Sequence, residues 1–229
     1  MSDFANLGEA VNRRLLKIFW LVDASGSMDG AKMATVNRAI KDLIPEMREV
    51  ADENPEIEMQ VNVIMFESKA KWIHRAVNIQ DFTWTDIETG GYTSTGAALS
   101  FALEEMTEEK MSKRAIPPLV ILMSDGGATD DYEKKLGDFL SDKWGKKTTR
   151  IPIAIGDDCD EVSLEKFRYP KEGPLLRAHN ASDLTKLIKW ASVTVSSSLS
   201  QTGTGGDLLP PPPAMNQVQL GGSDSDDQF

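Results

Sequence analysis

Residues 23 to 27 read Asp23-Ala24-Ser25-Gly26-Ser27, a carboxylate and two hydroxyls at alternate positions. They follow the apolar run Ile18-Phe19-Trp20-Leu21-Val22, so these oxygens fall where a buried strand ends. Hard oxygen donors gathered on a tight turn suit a Mg²⁺-type ion. Two later segments offer matching chemistry: Gly90-Gly91-Tyr92-Thr93-Ser94-Thr95-Gly96, and Ser124-Asp125-Gly126 after the apolar stretch 118–123. Ser25, Ser27 and Thr93 bring neutral hydroxyls, and Asp23 and Asp125 bring charge, directly or through water. Two carboxylates leave such an ion short of full coordination, so an open position would attract a carboxylate from outside. Taken singly, each segment also reads as a helix cap or an ordinary turn. Their appearance in order, each after a strand end or a glycine break, makes them a set.

The elements that must position this set alternate. Residues 15–23 read as a buried strand. Residues 31–50 carry Met33, Val36, Ile40, Leu43, Ile44 and Met47 at helical spacing, with Pro45 expected to kink or end the helix. Residues 57–66 and 71–77 alternate as two strands of an antiparallel hairpin, linked by Glu67-Ser68-Lys69. Residues 96–106 read as a helix and 118–123 as another buried strand. A helix is expected over 131–144, capped by Thr129 or Asp130, then a strand over 149–155 and a last helix marked by Leu184, Leu187, Ile188, Ala191 and Val195. Strands alternating with helices, several of them continuous apolar runs, predict an α/β layered fold with a mostly parallel sheet. In such sheets ligands bind outside the carboxyl ends of strands, where Asp23 and Asp125 both fall.

The 229 residues suit one domain with tails. A formal charge of −11 argues against nucleic acid as the main partner, since phosphate binding wants clustered Lys and Arg. Cys159 is the one cysteine, so no internal disulfide forms, as suits a reducing compartment. Residues 1–14 show no secretory leader, and no run approaches the roughly 18 apolar residues of a membrane span. The expectation is a cytoplasmic protein without membrane partners. From residue 198 the composition turns to Gly, Pro and Asp, so the domain plan is an extension over 1–14, a folded domain over 15–197 and a disordered acidic tail over 198–229.

Asp23-Ala24-Ser25-Gly26-Ser27-Met28, with Thr93 and Asp125 downstream, resembles the metal-ion-dependent adhesion site of von Willebrand factor type A (VWA) domains. The resemblance implies a Rossmann-like three-layer sandwich with one antiparallel edge strand and helices on both faces. It implies Mg²⁺, or Mn²⁺ or Ca²⁺, held by Asp23, Ser25, Ser27, Thr93 and Asp125, and a partner protein that supplies an Asp or Glu to the ion. Many VWA domains place the threonine directly after the glycine pair; here Tyr92 intervenes, so Thr93 is assigned and Thr95 kept as the alternate. The segment Gly126-Gly127-Ala128-Thr129-Asp130-Asp131-Tyr132-Glu133-Lys134 is similar to the bacterial TerY-like VWA proteins of tellurite-resistance neighbourhoods. So is His179-Asn180-Ala181-Ser182-Asp183, running into Lys189-Trp190-Ala191-Ser192. That similarity implies a stress or chemical-damage response with kinase and phosphatase partners.

Other chemistries find little support. Asp157, Asp158, Asp160 and Glu161 lack the spacing and central glycine of a calcium loop and read as a solvated loop or helix cap. His74 and His179 form no zinc pattern, and neither a nucleophile elbow nor a phosphate loop is present. The leading expectation is a non-enzymatic, metal-dependent binding module. The alternatives are a phosphoryl-transfer enzyme with Asp23 as nucleophile and Asp125 as metal ligand, and a scaffold with a degenerate site.

Overall fold

The computed structural model describes residues 13–156, 159–170, 175–202 and 209–213. Strand β1 (Arg14–Asp23) is buried at every position after Arg14. Helix α1 (Ala31–Glu53) turns Met33, Val36, Ile40, Leu43, Ile44, Met47 and Val50 inward. Pro45, expected to kink or end this helix, does not end it. Pro45 and Lys41, whose carbonyl loses its partner, are both exposed, so water can satisfy that carbonyl while buried Met47 and Val50 hold the next turns. β2 (Ile57–Phe66) and β3 (Ala70–Asn78) form the expected hairpin. There follow α2 (Thr95–Glu104), β4 (Leu119–Ser124), α3 (Tyr132–Ser141), β5 (Thr149–Ile155), α4 (Glu161–Phe167), β6 (Leu176–Ala178) and α5 (Ala181–Lys189). A π-helical turn, Trp190–Thr194, leads into α6 (Val195–Thr202).

The six strands form one sheet in the order β3-β2-β1-β4-β5-β6, parallel throughout except for the edge strand β3. Alternation along β1 divides the core. Leu16, Ile18, Trp20 and Val22 face a cluster that contains the inner residues of α1 and α5. Phe19 and Leu21 face a second cluster with Ala98, Leu99 and Ala102 of α2, Leu136 and Phe139 of α3, and Leu164 and Phe167 of α4. The result is the three-layer sandwich expected, with helices on both faces.

Several boundaries differ from expectation. The helix expected over 131–144 ends at Ser141, because the Asp142 carboxylate accepts the amides of Trp144 and Gly145 at 2.8 and 2.9 Å and turns the chain. Its N-cap position is Asp131, which makes no side-chain cap bond, rather than Thr129 or Asp130. Helix α4 and strand β6 were not anticipated: α4 buries only Leu164 and Phe167, and β6 has three residues. Arg14, expected in the N-terminal extension, opens β1. The composition change at residue 198 falls inside α6, where Leu199 is buried, and Leu209 packs against the first core cluster. The rest of the proposed extension and tail, 1–12, 203–208 and 214–229, lies outside the described residues.

A buried ion pair was also unforeseen. Lys17 lies on the α2 side of β1, and its ammonium donates to the Glu105 carboxylate at 3.0 Å and to the Glu105 carbonyl at 2.9 Å. Arg75 and Lys110 donate to the other carboxylate oxygen at 2.6 and 2.8 Å. Burial pushes the Glu105 carboxyl upward, but the bonds from Lys110, Arg75 and Lys17 outweigh it and bring the group down to about 2. Its contribution to stability is therefore complete above the ordinary value of 4.5 and is lost as pH falls through about 2. Glu105→Gln, which leaves Lys17 buried without its countercharge, is expected to cost about 3–5 kcal/mol at neutral pH. Urea unfolding of both proteins should show this gap narrowing as the pH is lowered from neutrality towards 2.

Candidate metal centre

β1 and β4 are neighbours, but the chain leaves them in opposite directions: β1 leads to β2 on one side and β4 to β5 on the other. A crevice opens at such a switch point, at the carboxyl ends of the strands. Asp23 closes β1, and Asp125 follows the last residue of β4, Ser124. In register, Val22 pairs with Met123, so the next residues, Asp23 and Ser124, stand side by side.

Asp23 is wholly buried. One carboxylate oxygen accepts the Ser25 amide at 2.9 Å and the other accepts the Ser124 hydroxyl at 2.5 Å. Burial raises the pKa of Asp23; the bonds from Ser124 and Ser25 oppose the rise, and the nearby charge of Asp125 adds to it. From there a row of oxygens runs outward. Ser25 Oγ lies 3.1 Å from Ser27 Oγ, and Ser27 Oγ donates to Asp125 Oδ1 at 2.7 Å. Ser25 and Asp125 are buried while Ser27 is exposed, so the row meets solvent at its middle member, Ser27.

The glycine loop is stitched to this turn. Gly90 N donates to Ala24 O at 2.7 Å and Gly26 N to Gly91 O at 3.3 Å, while Ser94 N ties the loop to the β2–β3 link by donating to Glu67 O at 2.8 Å. Gly91 has φ +74°, and a Cβ there would stand 3.2 Å from the Ser68 amide and 2.4 Å from its hydroxyl oxygen, so only glycine fits without a shift. Thr93 is buried and tied through its backbone to Thr129, whose amide donates to Thr93 O at 2.8 Å. Thr93 Oγ1 lies 4.0 Å from the point where a Cβ on Gly126 would stand, beside Asp125. Thr95, the alternate, sits in the first turn of α2 and lines a small cavity with Ser124, Gly126, Tyr132 and Ser163. Asp23, Ser25, Ser27 and Asp125 are thus joined in one chain of hydrogen bonds, and Thr93 lies near it beside Gly126.

With metal–oxygen distances of about 2.1 Å, adjacent oxygens of an octahedron stand about 3.0 Å apart. The 3.1 and 2.7 Å separations in the row are those of hydrogen-bonded oxygens and are close enough to that edge for an ion to be held with little rearrangement. Among the described residues no group of three or more His, Cys, Asp or Glu side chains is placed to hold a metal. A centre here therefore depends on its hydroxyls.

Three contributors went unrecognised in the sequence. Ser124 was noted only as part of a turn, yet its hydroxyl solvates Asp23. Asp130 was expected to cap α3; its carboxylate instead accepts the amides of Gly96 and Ala97 at 3.0 and 2.9 Å, and so caps α2. Lys32 donates to Asp125 Oδ2 at 2.6 Å. A lysine in the first turn of a helix opposes the helix dipole, and that was the available signal. Of the acidic segment after β5, Asp160 is the N-cap of α4, accepting Ser163 N at 3.3 Å and Ser163 Oγ at 2.6 Å, whereas Asp157 and Asp158 lie outside the described residues.

The von Willebrand factor type A domain profile matches residues 18–190, and the chain belongs to that family. Solved structures share the fold. The ArnB paralog VWA2 from Sulfolobus acidocaldarius aligns over 78% of this chain and 45% of its own, with 19% identity and a TM-score of 0.57. A von Willebrand factor type A protein from Catenulispora acidiphila aligns over 80% and 42%, with 16% identity and a TM-score of 0.59. Proximal thread matrix protein 1 from the mussel byssus, in a structure with a zinc-occupied MIDAS motif, aligns over 80% and 46%, with 16% identity and a TM-score of 0.54. The chain spans less than half the length of each. No curated protein matches it. No helix among the described residues is long and apolar enough to cross a membrane.

Asp130→Ala removes two charge-assisted bonds from the start of α2 and is expected to lower stability by about 1–2 kcal/mol, measured by urea unfolding. Asp130→Asn, which keeps an acceptor, should recover most of the loss.

Proposed function

We propose that this VWA domain is a metal-dependent protein-binding module. Asp23, Ser25, Ser27, Thr93 and Asp125 hold a divalent ion, directly or through water, and an Asp or Glu of a partner completes its coordination. The observation that carries the reading is the oxygen row from Ser25 to Asp125, spaced like an octahedral edge and reaching solvent at Ser27. The donor set is all oxygen, which favours Mg²⁺, Mn²⁺ or Ca²⁺ over softer ions. The zinc-occupied MIDAS motif of the mussel protein, which shares the fold, supports a divalent ion as the ligand. Family membership supports protein interaction as the role.

The same geometry supports a non-enzymatic role. Asp23 is wholly buried at the end of β1, which shields it from in-line attack on a phosphoryl group arriving from solvent. On the resemblance of residues 126–134 and 179–192 to TerY-like proteins, we place the module in a bacterial tellurite-type or chemical-damage response. Its setting is the cytoplasm, with a kinase or phosphatase among its partners. The charge of −11 argues against nucleic acid as the main partner.

Mg²⁺ or Mn²⁺ at about one hundred times Kd is expected to raise the unfolding free energy by about 2.7 kcal/mol, read by thermal melts. Asp125→Asn should abolish the rise; a wild-type melting temperature indifferent to both ions would overturn the metal centre. Affinity capture with wild type in Mg²⁺, wild type in EDTA and Asp125→Asn should show partners in the first arm alone. An aryl phosphate turned over by wild type but not by Asp23→Asn would replace the binding role with an enzymatic one.

A further inference from the structure

We propose that Lys32 is a tethered cation that competes with the divalent ion for Asp125 and so sets how tightly the site holds metal. The proposal rests on the metal-binding reading above.

Lys32 reaches two members of the oxygen row. Its ammonium donates to Asp125 Oδ2 at 2.6 Å and to the Ser27 carbonyl at 3.3 Å. Asp125 Oδ1 takes the Ser27 hydroxyl at 2.7 Å, so both oxygens of this carboxylate are engaged. A divalent ion that draws on Asp125 must share the carboxylate with the ammonium or displace it.

The place of Lys32 in its helix points the same way. It is the second residue of α1, at the end where the helix dipole disfavours a positive charge. What holds the charge there is Asp125, itself nearly buried. The lysine can also yield. Its side chain is 20% exposed, and it lies over the end of β5, with Cε and Nζ each 3.5 Å from the point where a Cβ on Gly156 would stand. Gly156, at φ +83°, leaves that surface bare, so the ammonium can swing towards water without disturbing the core.

Charge then gives the lysine a second consequence. Asp23 and Asp125 carry a formal −2 and Lys32 adds +1, so a bound divalent ion leaves the site at +1. One carboxylate from outside cancels that charge. Lys32 thereby weakens the hold on the metal and adds to the attraction for an acidic partner.

The test is calorimetric titration of Mn²⁺ alone into wild type, Lys32→Gln and Lys32→Arg, with melting temperatures of the metal-free proteins alongside. Lys32→Gln is expected to bind Mn²⁺ at least about tenfold more tightly, because a competing charge has gone, while its metal-free form melts lower. Lys32→Arg should return the affinity to near the wild-type value. A merely structural lysine would move both readouts in the same direction, weakening metal binding and stability together. Unchanged or weaker Mn²⁺ binding by Lys32→Gln overturns the proposal, as does an arginine variant that behaves like glutamine. If wild type and Lys32→Gln both fail to bind Mn²⁺, the metal centre falls as well; if both bind equally, only the role of Lys32 falls.

Discussion

A carboxylate buried at a strand end must be solvated by the protein, and much of the architecture follows from how Asp23 meets that demand. One donor, the Ser25 amide, comes from the turn that follows it. The other, the Ser124 hydroxyl, comes from a segment about a hundred residues away and arrives only if β4 lies beside β1 in the observed register. The bond is therefore a condition on topology. It requires the chain to return to β1 on the side opposite β2, which creates the switch point and the crevice. An uncompensated carboxylate at this depth would cost several kcal/mol, which makes the strand order and the site one problem.

Around that fixed point, burial is graded. Asp23 is sealed, Ser25 lies just beneath the surface, and Ser27 is open. The turn carrying them is pinned from below by Met28, wholly buried in the first core cluster, and from the side by bonds to Gly90 and Gly91. α2 is fastened to the loop after β4 through Asp130, so Thr93 and Thr95 are positioned by the segment that also carries Asp125. Loops usually supply adaptability to a site; here backbone bonds remove most of it and leave the hydroxyls preorganised.

The fold was legible wherever burial writes a continuous pattern. β1, β2, β4, β5 and α1 lie within a residue or three of their expected bounds, because each presents an unbroken apolar run or face. Pro45 does not end α1, because the carbonyl it leaves without a partner belongs to exposed Lys41 and buried Met47 and Val50 hold the following turns. α4 and β6 were invisible because each is short and buries few side chains. The convergence of the site was legible from its placement at strand ends, but its supporting contacts were not. Ser124, Asp130 and Lys32 act across 93 to 101 residues or between neighbouring loops, and local periodicity carries no trace of such pairings. Lys17 was hidden for the opposite reason: a single lysine in an apolar strand looks like a flaw until Glu105 is seen beneath it.

Arg150 brings out a polarity in the sheet as a whole. It sits near the amino end of β5, buried, with its guanidinium on the carbonyls of Phe167, Gly145 and Thr148. Lys17, towards the amino end of β1, gathers Glu105 with Arg75 and Lys110 around it. At the other end, the loops after β1, β4 and β5 carry Asp29, Asp125, Asp130, Asp131 and Asp160. One end of the sheet is thus closed by cations set into the protein, and the other is rimmed by carboxylates. On the proposed function, carboxylates at the crevice end favour a small cation there, with Lys32 as the opposing charge. On the same proposal, a large acidic partner meets like charge at that rim until an ion is bound, which sets metal before partner.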